Sequence, residues 1–178
     1  MRLKIMILLL IIFNYAINAC ADSEKEIKYW DVVLKEAIVI VPELKNIKLA
    51  TEEDLLIFKG YGKDKKNGEF IYKLNLEAYQ NKEMFSFLKG DFNKNGKEDV
   101  ALACRDTLKE ISYLVILEKD ENKFRLIKHL PFKAKVFYIA GGNQYIDILF
   151  QAGTDWMEQV YWNGSDYVIK ERDDVYGP

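Results

Sequence analysis

The sequence predicts a mainly β protein, its antiparallel sheets built from hairpins, with one N-terminal α-helix. Three observations carry this. From residue 55 onward, short runs rich in Leu, Ile, Val, Phe and Tyr alternate with polar, Gly- and Asn-containing segments, the rhythm of strands and turns. Between residues 24 and 41, apolar residues fall at Ile27, Trp30, Leu34, Ala37, Ile38 and Val41, a helical spacing on one face. Only three prolines interrupt 178 residues.

The helix is expected from Glu24 to about Val41. Pro42 ends it, because the residue ahead of a proline is pushed out of the α region. Its apolar stripe reads as core packing. LLIF (55–58) and EFIYKLNL (69–76) read as strands flanking the polar loop YGKDKKNG. FSFLKG (85–90) leads into a second polar loop, and DVALAC (99–104) and ISYLVILE (111–118) are apolar strands. KDEN (119–122) turns the chain into KFRLIKHL, and KVFYIA (135–140) passes through GGNQ into YIDILFQAG. MEQVYW (157–162), NGSD and YVIKE form a last hairpin. Asn163-Gly164 carries the signal of a type I′ turn. Cys104, inside VALAC, is expected to be buried as a small hydrophobe.

An internal echo suggests repeated units. GDFNKNGKEDVALAC and SYLVILEKDENKFRLI are followed later by AGGNQYIDILFQAG and MEQVYWNGSDYVI, which matches Asp99 to Asp147 and Phe124 to Tyr167. EEDLLIFKGYG with FIYKLNL is a third candidate unit, with Asp54 in the matching place. Two or three such units would stack as antiparallel sheets. The same rhythm is also what any all-β chain shows.

The N-terminus has the form of a secretory signal at residues 1–19. Arg2 and Lys4 precede an apolar stretch from Ile5 to Phe13, and small residues follow at Ala16, Ala19 and Ala21. The stretch falls short of the roughly 20 residues a spanning helix needs. Two cleavage readings stand. Ile17-Asn18-Ala19-Cys20 is similar to the lipobox of bacterial lipoproteins, with Cys20 as the lipidated first residue. Ala19-Cys20-Ala21 is an A-x-A site that leaves Asp22 first. Residues 20–26 then form a short tether, and 27–178 a single β-rich domain. Cleavage before Cys20 removes 19 of 178 residues and takes 26 basic residues to 24, against 28 acidic ones. The mature chain carries a net charge of −4 and no basic stripe, so nucleic acid is not an expected partner. A lipid anchor would supply membrane attachment.

The segment 91–99 carries the chemistry. It reads D-x-N-x-N-G-x-x-D between two apolar runs. Oxygen-bearing side chains at alternating positions suit a hard cation such as Ca²⁺, which takes six to eight oxygens at roughly 2.3–2.6 Å. Asp91, Asn93 and Asn95 would point inward, and Lys97 would give its backbone carbonyl. Gly96 would allow the turn through positive φ, and Asp99 would close the site from the head of the next strand. The twelfth position is Leu102 rather than the bidentate Glu of an EF-hand. Two carboxylates and two amides imply weak binding, with Kd about 10⁻⁴–10⁻³ M. The alternative is a metal-free turn, since Asn, Asp and Gly also build tight turns by local hydrogen bonds.

GDFNKNGKEDVAL resembles the calcium loop of FG-GAP and VCBS-type repeats. The resemblance implies four-stranded, propeller-blade-like units in an extracellular setting. It implies an ion held by Asp91, Asn93, Asn95, Asp99 and the Lys97 carbonyl.

Other chemistry lacks its motifs. His129 stands alone in IKHLPF and reads as a partly exposed strand residue. No G-x-S-x-G elbow and no phosphate-binding glycine loop occurs. Glu52-Glu53 and Asp173-Asp174 are adjacent pairs, which point to opposite faces of an extended chain. Tyr161 and Trp162 fall on opposite sheet faces, so one is expected in the core and the other could contact a carbohydrate or protein. The expected function is a secreted or lipid-anchored envelope module, calcium-stabilised, binding or structural and not enzymatic. The alternative is a small metal- or carboxylate-dependent envelope hydrolase.

Overall fold

The computed structural model describes residues 24–142, 145–150 and 157–171. The signal segment, Cys20 and Asp22, Trp156 and the Asp173-Asp174 pair lie outside them. The first element is helix α1 (24–37). It stops earlier than Val41 because Val41, ahead of Pro42, is extended at φ −113° and ψ 92°, as that position requires. Pro42–Leu44 is one 3₁₀ turn, followed by strand β1 (Ile47–Leu49), a 3₁₀ helix (Glu52–Gly60) and helix α2 (Lys65–Gln80). Eight strands follow: β2 (Phe87–Gly90), β3 (Asp99–Asp106), β4 (Ser112–Asp120), β5 (Lys123–Phe132), β6 (Tyr138–Gly142), β7 (Tyr145–Leu149), β8 (Met157–Trp162) and β9 (Tyr167–Glu171). The fold is mainly β, with two antiparallel sheets.

Two expected strands are helical. LLIF lies in the 3₁₀ helix, and EFIYKLNL lies in α2. The third candidate repeat unit, with Asp54, is therefore no strand pair, and Glu52 and Glu53 open a helix instead of sitting in extended chain. Local capping explains both helices. Thr51 precedes Glu52-Glu53-Asp54, and Asp54 Oδ2 accepts from the Thr51 amide at 3.0 Å, one half of a capping box. Asp64 caps α2 by accepting from the Asn67 amide at 2.8 Å. The buried stripe of α2 consists of Gly68, Asn75 and Ala78, so its inward face is small and partly polar. Phe70 stands 66% exposed. The apolar alternation that reads as a strand belongs to the flanks of a helix.

The first sheet runs β1-β3-β4-β5, with β2 also paired to β3. β1 takes the Cys104–Asp106 end of β3, and β2 takes the Asp99–Leu102 end. The second sheet is the meander β6-β7-β8-β9. A bridge between Phe85 and Ile139 ties the two, with amide–carbonyl bonds of 2.8 and 2.9 Å. The first sheet is covered on both faces. Val100, Leu102, Cys104, Tyr113, Val115 and Leu117 pack against Trp30 and Leu34 of α1 and against Ile38 just beyond its end. Ala101, Ala103, Leu114 and Ile116 pack against Ile139, Ile146, Ile148 and Val160 of the second sheet, with Leu55, Phe58 and Ala78 closing that core. A strand buried on both faces reads as a continuous apolar run, which is what DVALAC and ISYLVIL show.

Asp54, 4% exposed, joins the layers. Its Oδ1 lies 2.6 Å from Arg105 Nε and 3.1 Å from Lys48 Nζ. Cys104 is a buried free thiol. His129 lies on β5, partly exposed, with Nε2 3.4 Å from Glu43. The last hairpin uses four residues rather than a two-residue type I′ turn, since Trp162 pairs with Tyr167. Asn163 is absent from the left-handed region while Gly164 sits at φ +101°. The Asn163 side chain closes the loop instead, accepting from the Ser165 and Asp166 amides at 2.9 Å each. No helix among the described residues is long and apolar enough to cross a membrane.

Candidate metal centre

Residues 91–98 connect β2 to β3, neighbours in register, with Gly90 opposite Asp99. Phe92 pins the loop. It is 2% exposed and enters the core between the sheets. A Cβ on Gly90 would come within 2.9 Å of its ring, so this glycine leaves room for Phe92. Two residues take the left-handed conformation, Lys94 at φ +59° and Gly96 at φ +83°.

These turns bring the expected ligand residues together around the loop's own amides. Asp91 Oδ1 accepts from the Asn95 amide at 3.0 Å, and Oδ2 from the Gly96 amide at 2.9 Å. Asn93 Oδ1 accepts from the Asn95 amide at 3.1 Å. Asn95 Oδ1 accepts from the Lys97 amide at 2.8 Å. Each bond uses one lone-pair direction of its oxygen and leaves another for a cation. Asp99 closes the loop from beneath. It is fully buried, and its Oδ2 accepts from the Phe92 and Asn93 amides at 3.0 and 3.3 Å and from the Tyr167 hydroxyl at 3.3 Å. Its Oδ1 is buried without a hydrogen-bond partner. Burial raises the Asp99 pKa above the ordinary carboxylate range, against the pull of those donors. A buried carboxylate oxygen without a partner is costly unless a proton or cation reaches it. The donor set therefore fits a hard cation.

Three participants were not legible as site residues. Glu118, on β4, stands in register opposite Asp99 and is 1% exposed. Its Oε1 takes the Arg125 guanidinium at 2.6 Å and the Lys97 ammonium at 3.2 Å. Its Oε2 accepts from the side-chain amides of Asn93, at 3.4 Å, and Asn95. The bond from Arg125 leads in holding its pKa down to about 2, with Asn95, Lys97 and Asn93 adding to it against burial. Tyr167 reaches Asp99 from the last strand, and Arg125 comes from β5. The one available signal for Glu118 was an acidic residue ending the apolar run ISYLVIL, in the strand that pairs with DVALAC.

Lys97 is turned to Glu118, and Lys89 lies 3.6 Å from Glu26 and 5.4 Å from the Trp30 ring centroid. Lys89, Lys94 and Lys97 line an open depression with Asp91 and Glu98 on the outer side of the loop. Among the described residues no three His, Cys, Asp or Glu side chains converge as a ligand group.

The echo of this site in the second sheet differs. Asp147 pairs across the strand with Gln159 and accepts from its side chain at 2.9 Å; it does not underlie a loop. Phe124 packs with Trp30 against α1, whereas Tyr167 packs between the sheets, so the matched aromatics serve opposite faces. In comparisons with known proteins, no family model, no curated protein and no solved structure matches the chain.

Proposed function

We propose that the chain is an extracytoplasmic module, lipid-anchored through Cys20, whose β domain is fastened by Ca²⁺ in the loop 91–99. Its role on this reading is binding or structural, not catalytic, and its partner is a protein or carbohydrate of the cell envelope. The observation that carries the reading is the Asp99 carboxylate, buried with one unpartnered oxygen under a loop of inward-turned Asp91, Asn93 and Asn95 oxygens. The Lys97 carbonyl completes the proposed ligand set. Support for blade-like units comes from the two successive meanders β2-β3-β4-β5 and β6-β7-β8-β9, each an up-and-down run of strands.

Calcium titration followed by thermal melting tests the metal. A ligand that binds only the folded state adds RT ln(1 + [L]/Kd), about 1.4 kcal/mol at 10 mM Ca²⁺ and a Kd near 1 mM. For a domain of this size that raises Tm by roughly 3 °C. Absence of any shift refutes the site, and a shift that survives Asp91→Ala with Asp99→Ala moves the ion elsewhere. Mass spectrometry of the mature N-terminus tests the anchor; an unmodified chain beginning at Asp22 rules it out.

A further inference from the structure

An asparagine side chain offers a cation an oxygen only if its amide is turned the right way. The amide has an acceptor edge and a donor edge of nearly equal shape, and backbone N–H groups that face one edge call for its oxygen there. In this fold a residue outside the loop makes the matching demand on the other edge of Asn93 and Asn95. Glu118 Oε2 lies against Nδ2 of both, at 3.4 Å for Asn93 and closer for Asn95. An ionised carboxylate accepts and does not donate, so only the NH₂ edges can face it. The two Oδ1 atoms are thereby turned to the opposite side, onto the Asn95 and Lys97 amides. Glu118 is itself fixed. It is 1% exposed, opposite Asp99 in the β3–β4 register, and its Oε1 is held by Arg125 and Lys97.

We propose that Glu118 is the positioning residue of the loop, aiming the Asn93 and Asn95 oxygens at the cation without touching it. This rests on the cation reading above. It also accounts for the residue type at 93 and 95. An aspartate at either position would set a second carboxylate against a buried one, with like charges in contact and no proton between them. The site therefore gives up ligand charge at two positions in order to keep Glu118 paired. Arg125 and Lys97 neutralise the positioning carboxylate, and Asp91 and Asp99 remain the charged donors.

The test is calcium calorimetry on the purified protein, with thermal melts in chelator and in calcium. Glu118→Gln presents both an oxygen and an NH₂ group to the two amides, so their orientation is left to the Asn95 and Lys97 backbone amides alone. Calcium affinity is expected to fall about tenfold or more, the effect typical of partners behind the ligands. Asn95→Asp is expected to leave affinity unchanged or lower it in the parent, and to raise it in the Glu118→Gln background. That reversal of sign is what a merely structural carboxylate would not produce. The proposal is overturned if Glu118→Gln lowers the melting temperature in chelator but keeps the parent's affinity and calcium increment. It is equally overturned if Asn95→Asp strengthens binding by the same factor in both backgrounds. Should Glu118→Gln fail to fold, Asn95→Asp in the parent decides alone: a rise in affinity is fatal. A parent protein that binds no calcium is a separate result, and it removes the cation reading together with this one.

Discussion

The runs β2-β3-β4-β5 and β6-β7-β8-β9 are both antiparallel meanders, yet their sheets are buried differently. The first lies between α1 and the second sheet, and β3 and β4 have apolar residues buried on both faces. The second presents Ile146, Ile148 and Val160 inward, while Tyr145 and Ile169 stand 42% exposed. Their opening connections differ too. The run β2-β3-β4-β5 begins with the loop 91–98, built around Asp91 and Gly96. The second begins with two residues between Gly142 and Tyr145. Burial on both faces is what allows a polar loop to be held rigidly, because the strands on either side of it cannot shift. The second sheet, with one face in solvent, has only two residues where the first has an eight-residue polar loop.

Truncation gives the largest expected contrast. Leu114→Ala, fully buried between the sheets, should lose about 3–5 kcal/mol of unfolding free energy in urea. Ile169→Ala, 42% exposed on the edge strand β9, should stay within about 0.5 kcal/mol. Similar losses at the two positions would contradict the layered arrangement. The opening glycines sharpen the comparison. Gly141 sits at φ +120°, and a Cβ there would fall 2.7 Å from the Tyr145 carbonyl oxygen. Gly141→Ala should thus cost about 3 kcal/mol, from left-handed strain plus overpacking. At Gly96, with φ +83°, a Cβ meets nothing within 4 Å. Gly96→Ala should cost only the strain, about 1–2 kcal/mol, and equally with calcium or chelator. A loss confined to one of those conditions would show that the ion, not the backbone, dictates the turn.

Two smaller effects concern the loop alone. The Asp91 carboxylate already accepts two backbone amides without any ion. Asp91→Asn keeps one of these acceptors and turns an NH₂ group on the other amide. We expect a loss of about 1 kcal/mol in chelator, and a weaker calcium increment as well. A chelated protein that unfolds outright would make the loop a hydrogen-bonded turn first. Lys94, left-handed at φ +59°, carries strain that glycine would relieve. Lys94→Gly should raise stability by about 0.5 kcal/mol, the strain relieved being partly offset by the greater freedom of the unfolded chain. A loss would mean that the Lys94 side chain contributes more than its conformation costs.

The strands from β2 onward were legible because runs such as ISYLVIL and turns such as KDEN act locally. The stripe Trp30-Leu34 of α1 was legible for the same reason, whereas Ile38, expected in the helix, lies in the turn beyond it. The 3₁₀ helix and α2 were not. Their signals are the caps Thr51–Asp54 and Asp64–Asn67, whereas the inward face of α2 is Gly68, Asn75 and Ala78 and carries little apolar pattern. The four loop donors stood out by their spacing. Glu118 and Tyr167 did not, since nothing within a strand marks which residue will lie beneath a loop supplied by another. Asn163-Gly164 suggested a two-residue turn, but the Asn163 side chain stabilises a four-residue one.

The hydrogen bond from Tyr167 to Asp99 also sets an order of events. It joins residues 68 positions apart, from the head of the first sheet's central strand to the last strand of the second. The loop can curl as soon as β2 and β3 pair, but its buried carboxylate gains its third donor only when β9 docks. Among the described strands β9 is the last in chain order, and every strand of the first sheet precedes it. The donors around Asp99 are thus complete only when the two sheets have docked, so the loop of the first sheet registers the presence of the second.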